Sequence, residues 1–281
     1  MQSASPPAIG LSFVIAVGLA GGIALAAHRA GSLTRGGALA ATLVGSLAML
    51  AGAPWGAYLV LWFVSASLLS RLGVHVKRQR TASVLPQREA RDAWQVLANG
   101  AVFAALAAWA LWQAAEGGPH PVVGPAAAIM AASALAAAGA DTLATEIGTW
   151  LGATPRSLRT GKPVPPGTSG AVSWAGTAAL LCGALGYAAV AAAVGLVPGT
   201  AWATVAVAAS LGAMTDSLLG AWLQTERWCA HCREATEQNP HRCGTPTTPW
   251  RGWTALDNDG VNLLCTLSAA AVAGIWLALW H

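Results

Sequence analysis

The stretch that decides the fold reads G-A-D-T-L-A-T-E-I-G-T-W-L-G over residues 139–152 and A-T-P-R-S-L-R-T-G-K-P-V-P-P-G-T-S-G-A-V-S over residues 153–173. Its first half closes a long apolar segment that carries two acids, Asp141 and Glu146. Its second half is a loop with Arg156, Arg159 and Lys162, ending in the small-residue turn Gly167-Thr168-Ser169-Gly170, which opens another apolar segment. An apolar run that ends in cations reads as a membrane helix leaving the bilayer on its cytoplasmic side. Carboxylates hold metal ions, basic residues hold phosphates, and a helix N-terminus holds an anion. The stretch therefore predicts a site for charged ligands at a membrane surface.

Composition extends that reading to the whole chain. Of its 281 residues, 55% are hydrophobic and only 9% are charged, and the mean hydropathy is +0.54. A soluble domain carries about 25% charged residues, so this is the composition of an integral membrane protein, with the lipid bilayer as its first partner. The net charge of +4 then belongs to loops, and no nucleic-acid partner is implied. Five cysteines in so long a chain do not make a disulfide framework.

Eight apolar segments follow one another, at roughly 8–27, 36–53, 54–70, 93–115, 122–152, 171–195, 199–223 and 259–280. All fifteen Lys and Arg lie in alternate connections, at 28–35, 71–92, 153–170 and 224–258. The expected fold is all-α: one polytopic domain over 1–281, with about eight transmembrane helices. Those four loops face the cytoplasm and both termini lie outside it, in the cell (inner) membrane. The first segment ends in the cleavage-like Ala24-Leu25-Ala26, but Met1–Gly10 holds no basic residue, so it is expected to be retained as a span. Tryptophans gather near segment ends, Trp55, Trp109, Trp112, Trp202, Trp276 and Trp280 outside and Trp94, Trp150, Trp222 and Trp228 inside, as interface anchors do. The basic loop 71–92 is expected to lie on the anionic inner leaflet.

Asp141, Thr142, Thr145 and Glu146 form a polar patch about 140° wide on one helix. Ionisable groups inside a span are costly and point to function. Asp216 repeats the theme in Gly212-Ala213-Met214-Thr215-Asp216-Ser217-Leu218. The last segment opens on Asp257-Asn258-Asp259, more acid and amide than a helix cap needs, and the fourth opens on Arg91, Asp92, Gln95 and Asn99. Lys162 and the proline-stiffened run after it lead into the turn 167–170, whose backbone N–H groups are expected to bind an anion at the start of a helix. No P-loop or dinucleotide fingerprint occurs. In the loop 224–258, Cys229, Cys232 and Cys243 with His241 or His231 make a candidate structural zinc set, four ligands leaving no open position.

The runs A-D-T-L-A-T-E-I-G (140–148), K-P-V-P-P-G-T-S-G-A-V-S (162–173), D-S-L-L-G-A (216–221) and L-D-N-D-G-V-N-L-L (256–264), with Q-V-L-A-N-G (95–100), resemble an integral membrane family typified by the phytyl-phosphate kinase of tocopherol synthesis. The resemblance spans about Gly31 to Leu264. It implies a membrane enzyme that moves the γ-phosphate of a nucleoside triphosphate, with CTP the expected donor, onto an isoprenoid monophosphate.

The residues suit such chemistry. A phosphate monoester is largely a dianion at neutral pH and needs positioning and charge neutralisation more than a base. The expected roles are Mg²⁺ binding for Asp141, Glu146 and Asp216 and nucleotide-phosphate binding for Lys162 and Gly167, Thr168, Ser169 and Gly170, with Arg156 or Arg159 assisting. Asn99, Asp257 and Asn258 complete the rim. Two rivals share these features: a cytidylyltransferase acting on a lipid phosphate, and a transporter, whose acids would sit near the bilayer midplane.

Overall fold

The computed structural model describes residues 6–85, 90–116 and 125–280. Arg88 and the side chain of Trp280 lie outside the described residues. Eight apolar helices stand where the hydropathy places them: α1 (Pro6–Arg29), α2 (Arg35–Ala51), α3 (Ala53–Arg71), α5 (Ala93–Ala115), α6 (Pro125–Leu151), α7 (Trp174–Ala193), α8 (Trp202–Trp222) and α9 (Asn258–Trp280). Seven of them are long and apolar enough to cross a membrane; α2, with 17 residues, is the shorter one. It turns directly into α3 at Gly52, and Pro54 starts α3 where its missing N–H costs nothing.

The bundle is arranged around α6. Within its most apolar stretch 72% of residues are buried, against 22–50% for the other spans. The cause is its sequence: Ala131, Ala132, Ala134, Ala136, Ala137, Ala138 and Ala140 are all buried, and small side chains let α5, α7, α8 and α9 approach closely. At Gly139 even a methyl group is too large, because a Cβ there would lie 2.2 Å from the ring of Tyr187. Tyr187 in turn hydrogen-bonds Ser65 of α3 at 2.8 Å, and Tyr58 of α3 donates to the carbonyl of Ala132 at 3.2 Å.

The four basic connections lie at one end of the bundle, as charge alternation requires. Arg91 N–H donates to Ser32 O, Arg71 reaches Ala30 O, Arg80 donates to Thr149 O and Trp150 O, and Glu237 N–H donates to Val84 O. These connections hold more structure than expected. Segment 71–92 contains a short basic helix, α4 (Val74–Thr81), which packs on α6 through Lys77 while His75, Gln79 and Arg80 stay exposed. Strands β1 (Arg156–Ser157) and β2 (Ala171–Val172) close the 153–170 loop into a hairpin. Strands β3 (Glu226–Cys229), β4 (Glu234–Thr236) and β5 (Thr248–Arg251) form an antiparallel ribbon in the order β4-β3-β5.

Two tryptophans depart from the interface reading. Trp55 is only 7% exposed and packs on Phe103 with ring centroids 5.4 Å apart, since the tight α2–α3 turn folds it inward. Trp228 stacks with Trp250 at 5.2 Å within the ribbon. Trp94, Trp150 and Trp222 are exposed near the basic end, where an indole serves as an anchor.

Candidate functional site

Asp141 on α6 and Asp216 on α8 come together where the two helices pack. Their carboxylates lie within electrostatic range of each other, and both act on Cys265 of α9. Each is half-buried, and neither has a hydrogen-bond or ion-pair partner among the described residues. The neighbouring hydroxyls are otherwise engaged: Thr142 donates to Ala138 O at 2.8 Å and Thr215 to Leu211 O at 2.9 Å. α6 runs unbroken past Asp141 for ten more residues, while α8 ends six residues after Asp216. With the two acids level, α6 outruns α8 by about 6 Å at 1.5 Å per residue. Asp141 therefore lies nearer the basic surface than its distance from the end of α6 suggests.

Glu146 separates from that pair. It forms an ion pair with Lys77 of α4, a side chain only 9% exposed. Lys77 Nζ also donates to Leu69 O at 3.0 Å and Ser70 O at 3.1 Å, carbonyls of the last turn of α3. A buried ammonium thus has three partners, and the helix dipole of α3 favours it there. Arg91 lies in the same field: burial pushes its guanidinium down from its ordinary value, with Glu146 and Tyr187 opposing that fall. Local sequence gives no signal for Lys77, because its partner lies 69 residues away. Arg91 had only its place beside Gln95 and Asn99 to mark it.

Arg91, Gln95 and Asn99 form the polar end of a cavity of about 70 Å³ between α1, α2, α3 and α5. Its walls are apolar, including Ile23, Val44, Leu59 and Phe63. Trp62 also lines it, and its indole N–H is buried with no hydrogen-bond partner among the described residues. Gln95 and Asp92 form a reciprocal cap at the start of α5, and the Asn99 amide donates to Gln95 O at 2.9 Å.

The 153–170 hairpin carries Arg159 and Lys162 exposed at its tip, while the Arg156 guanidinium donates to Gly161 O at 3.0 Å. The turn 167–170 is not the open anion site expected from sequence. Thr168 N–H is bonded to Pro165 O, Ala171 N–H to Thr168 O, and the Ser169 hydroxyl donates to the carboxylate of Glu237. Gly170, at φ +66°, is pressed so closely on α8 that a Cβ would lie 2.1 Å from Ala221 N. Ser173 caps α7 by accepting from Gly176 N–H at 3.1 Å. Both hydroxyls of the turn and one of its four backbone N–H groups, that of Thr168, are therefore engaged. The cavity of about 210 Å³ beside the turn is lined by Glu226, Glu234 and Glu237, with Arg251 paired to Glu226 at 3.1 Å.

Asp257 and Asn258 stand exposed at the start of α9. Asp257 accepts from Gly260 N–H at 3.0 Å as a cap. In the ribbon, Cys229, Cys232, His241 and Cys243 bring their ligand atoms within 4.8 Å of one another, and the alternative His231 is exposed outside that group. Hydrogen bonding with Thr245 and His241 pushes the Cys243 thiol down to about 5.

The sequence profile of the family described as "Integral membrane protein DUF92" matches residues 18–270. The chain belongs to the DUF92 integral membrane family. That family is the one its motifs pointed to. Protein PGR of Arabidopsis thaliana is 27% identical over 286 residues, covering 94% of this chain and 96% of its own. No solved structure matches. The DUF92 match takes in both acid sites, the polar end of the cavity, the hairpin and the ribbon.

Proposed function

We propose that this DUF92 protein transfers the γ-phosphate of a nucleoside triphosphate, CTP, to an isoprenoid monophosphate, giving the diphosphate. The observation that carries this reading is the Asp141–Asp216 pair, which has no hydrogen-bond or ion-pair partner among the described residues; Lys77 at the α4 contact and Arg91 at the polar end of an apolar cavity supply cations at the same end of the bundle. Two carboxylates within electrostatic range, with no cation partner among the described residues, call for a proton or a metal ion nearby. Asp141 and Asp216 would hold a Mg²⁺ there, and the ion would supply neutralisation of phosphate charge. Glu146, held by Lys77, shapes the field beside them.

Arg91 receives the lipid phosphate, with Asn99 beside it. The first carbons of the chain occupy the cavity against Trp62 and Phe63, and the rest of the chain stays in the bilayer. The exposed Lys162, with Arg159, meets the nucleotide from the solvent side. The closed geometry of the turn 167–170 favours side-chain cations over a backbone nest for this role.

The experiment uses purified protein in detergent with Mg²⁺, a panel of prenyl monophosphates and CTP labelled at either the α- or the γ-phosphate. The expected result is γ-label in a prenyl diphosphate, with Lys162→Ala weakening nucleotide binding several-fold. Transfer of the α-label instead identifies a cytidylyltransferase. No transfer, with prenyl-phosphate uptake into proteoliposomes, identifies a transporter.

A further inference from the structure

The ribbon Glu226–Arg251 is too small to fold on apolar burial. The only large side chains in it that are fully buried are His241, Thr236 and Cys229. Small units of this kind need a staple, a disulfide or a metal. A disulfide requires sulfurs about 2.05 Å apart. The Cys229 and Cys243 sulfurs are 3.6 Å apart, and all three ribbon cysteines are free thiols.

The same separation suits a tetrahedral ion. With Zn–S bonds of about 2.3 Å, two ligand sulfurs stand about 3.8 Å apart, and a sulfur and an imidazole nitrogen about 3.6 Å. His241 Nδ1 lies 3.2 Å from Cys243 Sγ, so the ring already turns that nitrogen toward the sulfurs. Its other nitrogen, Nε2, is 3.1 Å from Glu234 Oε1. Nε2 is buried and makes no hydrogen bond among the described residues as the side chains stand, so Glu234 is the carboxylate that would accept from Nε2–H and fix the tautomer once Nδ1 ligates a metal. The turn between the first two cysteines fits as well. Cys232 N–H points at Cys229 Sγ at 3.5 Å, Arg233 N–H donates to Cys229 O at 2.8 Å, and Arg233 takes the left-handed conformation at φ 55°. Three sulfurs and one imidazole in a closed set select zinc over hard cations.

We propose that Cys229, Cys232, Cys243 and His241 Nδ1 bind one structural Zn²⁺, and that this ion clamps the segments flanking the membrane site. The residues between the second cysteine and the histidine make the contacts. Thr236 Oγ1 donates to Val84 O at 3.1 Å, and the Gln238 amide donates to Ala82 O and Leu85 O at 3.0 and 2.9 Å. The Glu237 carboxylate accepts from the Ser169 hydroxyl and from the Gln224 amide. One metal-fixed ribbon thereby ties down the chain after α4, the turn before α7 and the end of α8. All three sulfurs ligate as thiolates, and any thiol still protonated gives up its proton to solvent on binding, so affinity rises with pH.

The test needs no assay of activity and so stands apart from the kinase reading. Full-length protein purified in detergent should carry about one zinc per chain by elemental analysis, and Cys229→Ser with Cys232→Ser should lose it. Co²⁺ exchanged into the wild type should give the visible bands of a tetrahedral thiolate site. Should the double variant fail to fold, the wild type is stripped with a chelator and reloaded. Stripping should speed hydrogen exchange at 82–85 and 164–170 at least tenfold, and zinc should restore protection. Wild type without zinc but with its thiols reduced overturns the site. Zinc present with unchanged exchange at those segments overturns the clamp.

Discussion

Two contacts of α6, five residues apart, set the same chemistry in opposite states. At the α4 contact, Glu146 meets Lys77, and the ammonium is also bound to two carbonyls of α3. At the α8 contact, Asp141 meets another acid, Asp216, and no cation from the described residues joins them. The first contact is complete and serves the fold. The second is left short of positive charge, a state a protein keeps when the missing charge arrives with a ligand.

The largest expected effect breaks the second contact. Asp141→Asn and Asp216→Asn should each lower γ-phosphate transfer by more than about 100-fold while the protein still folds, since removing a charge from a span relieves a desolvation cost. Wild-type turnover in both variants, measured with labelled CTP, would leave the pair without a metal role. Breaking the first contact should act on stability instead. Lys77→Ala strands a half-buried carboxylate and should cost about 1–2 kcal/mol, most of it recovered by adding Glu146→Gln. A thermal-unfolding cycle in detergent reads this directly, and a neutral Lys77→Ala would mean that the fold does not depend on the pair.

Arg91→Ala should raise KM for the prenyl phosphate about tenfold, the loss of a charge-assisted hydrogen bond, with KM for the nucleotide unchanged. Equal changes in both constants would remove Arg91 from the lipid side. The smallest effect lies at Glu237. Burial pushes its carboxyl up to about 7 from an ordinary 4.5, against the Ser169 hydroxyl, which lowers it, while Glu226 and Asp257 add to the rise. The folded state therefore favours the protonated form. Stability should be greatest below the ordinary value and fall as pH rises through about 7, by at most about 1.4 kcal/mol per pH unit. Glu237→Gln should flatten that slope in pH-dependent melting, and an unchanged slope would assign the dependence to another group.

The spans were legible because one quantity repeats: every Lys and Arg falls in alternate gaps, and the bundle puts those gaps at one end. The Asp141–Asp216 pair was half-legible. Each acid stood out inside an apolar run, but only packing could show that they come within range of each other while Glu146 pairs with Lys77. Lys77 was hidden, since hydropathy scores a lysine in a basic loop the same whether it meets headgroups or a half-buried acid. The turn 167–170 misled for a related reason. Its glycines suggested free backbone donors, but Gly170 is a glycine because α8 touches it, and Glu237 comes from 68 residues further on to take the serine.

The brevity of α2 has a consequence for the lipids around it. Seventeen residues reach about 26 Å, against a hydrocarbon core of about 30 Å. If a helix this short spans the bilayer, one way to meet the hydrophobic mismatch is for the leaflets to dip beside it, at a cost of fractions of a kcal/mol per Å. α2 walls the cavity that ends at Arg91, so the dip brings the headgroup layer down toward that arginine. A phosphorylated lipid would then reach its place with little of its charge leaving water. In bilayers of progressively longer acyl chains the dip deepens and costs more, and turnover of prenyl phosphate should fall while nucleotide binding holds.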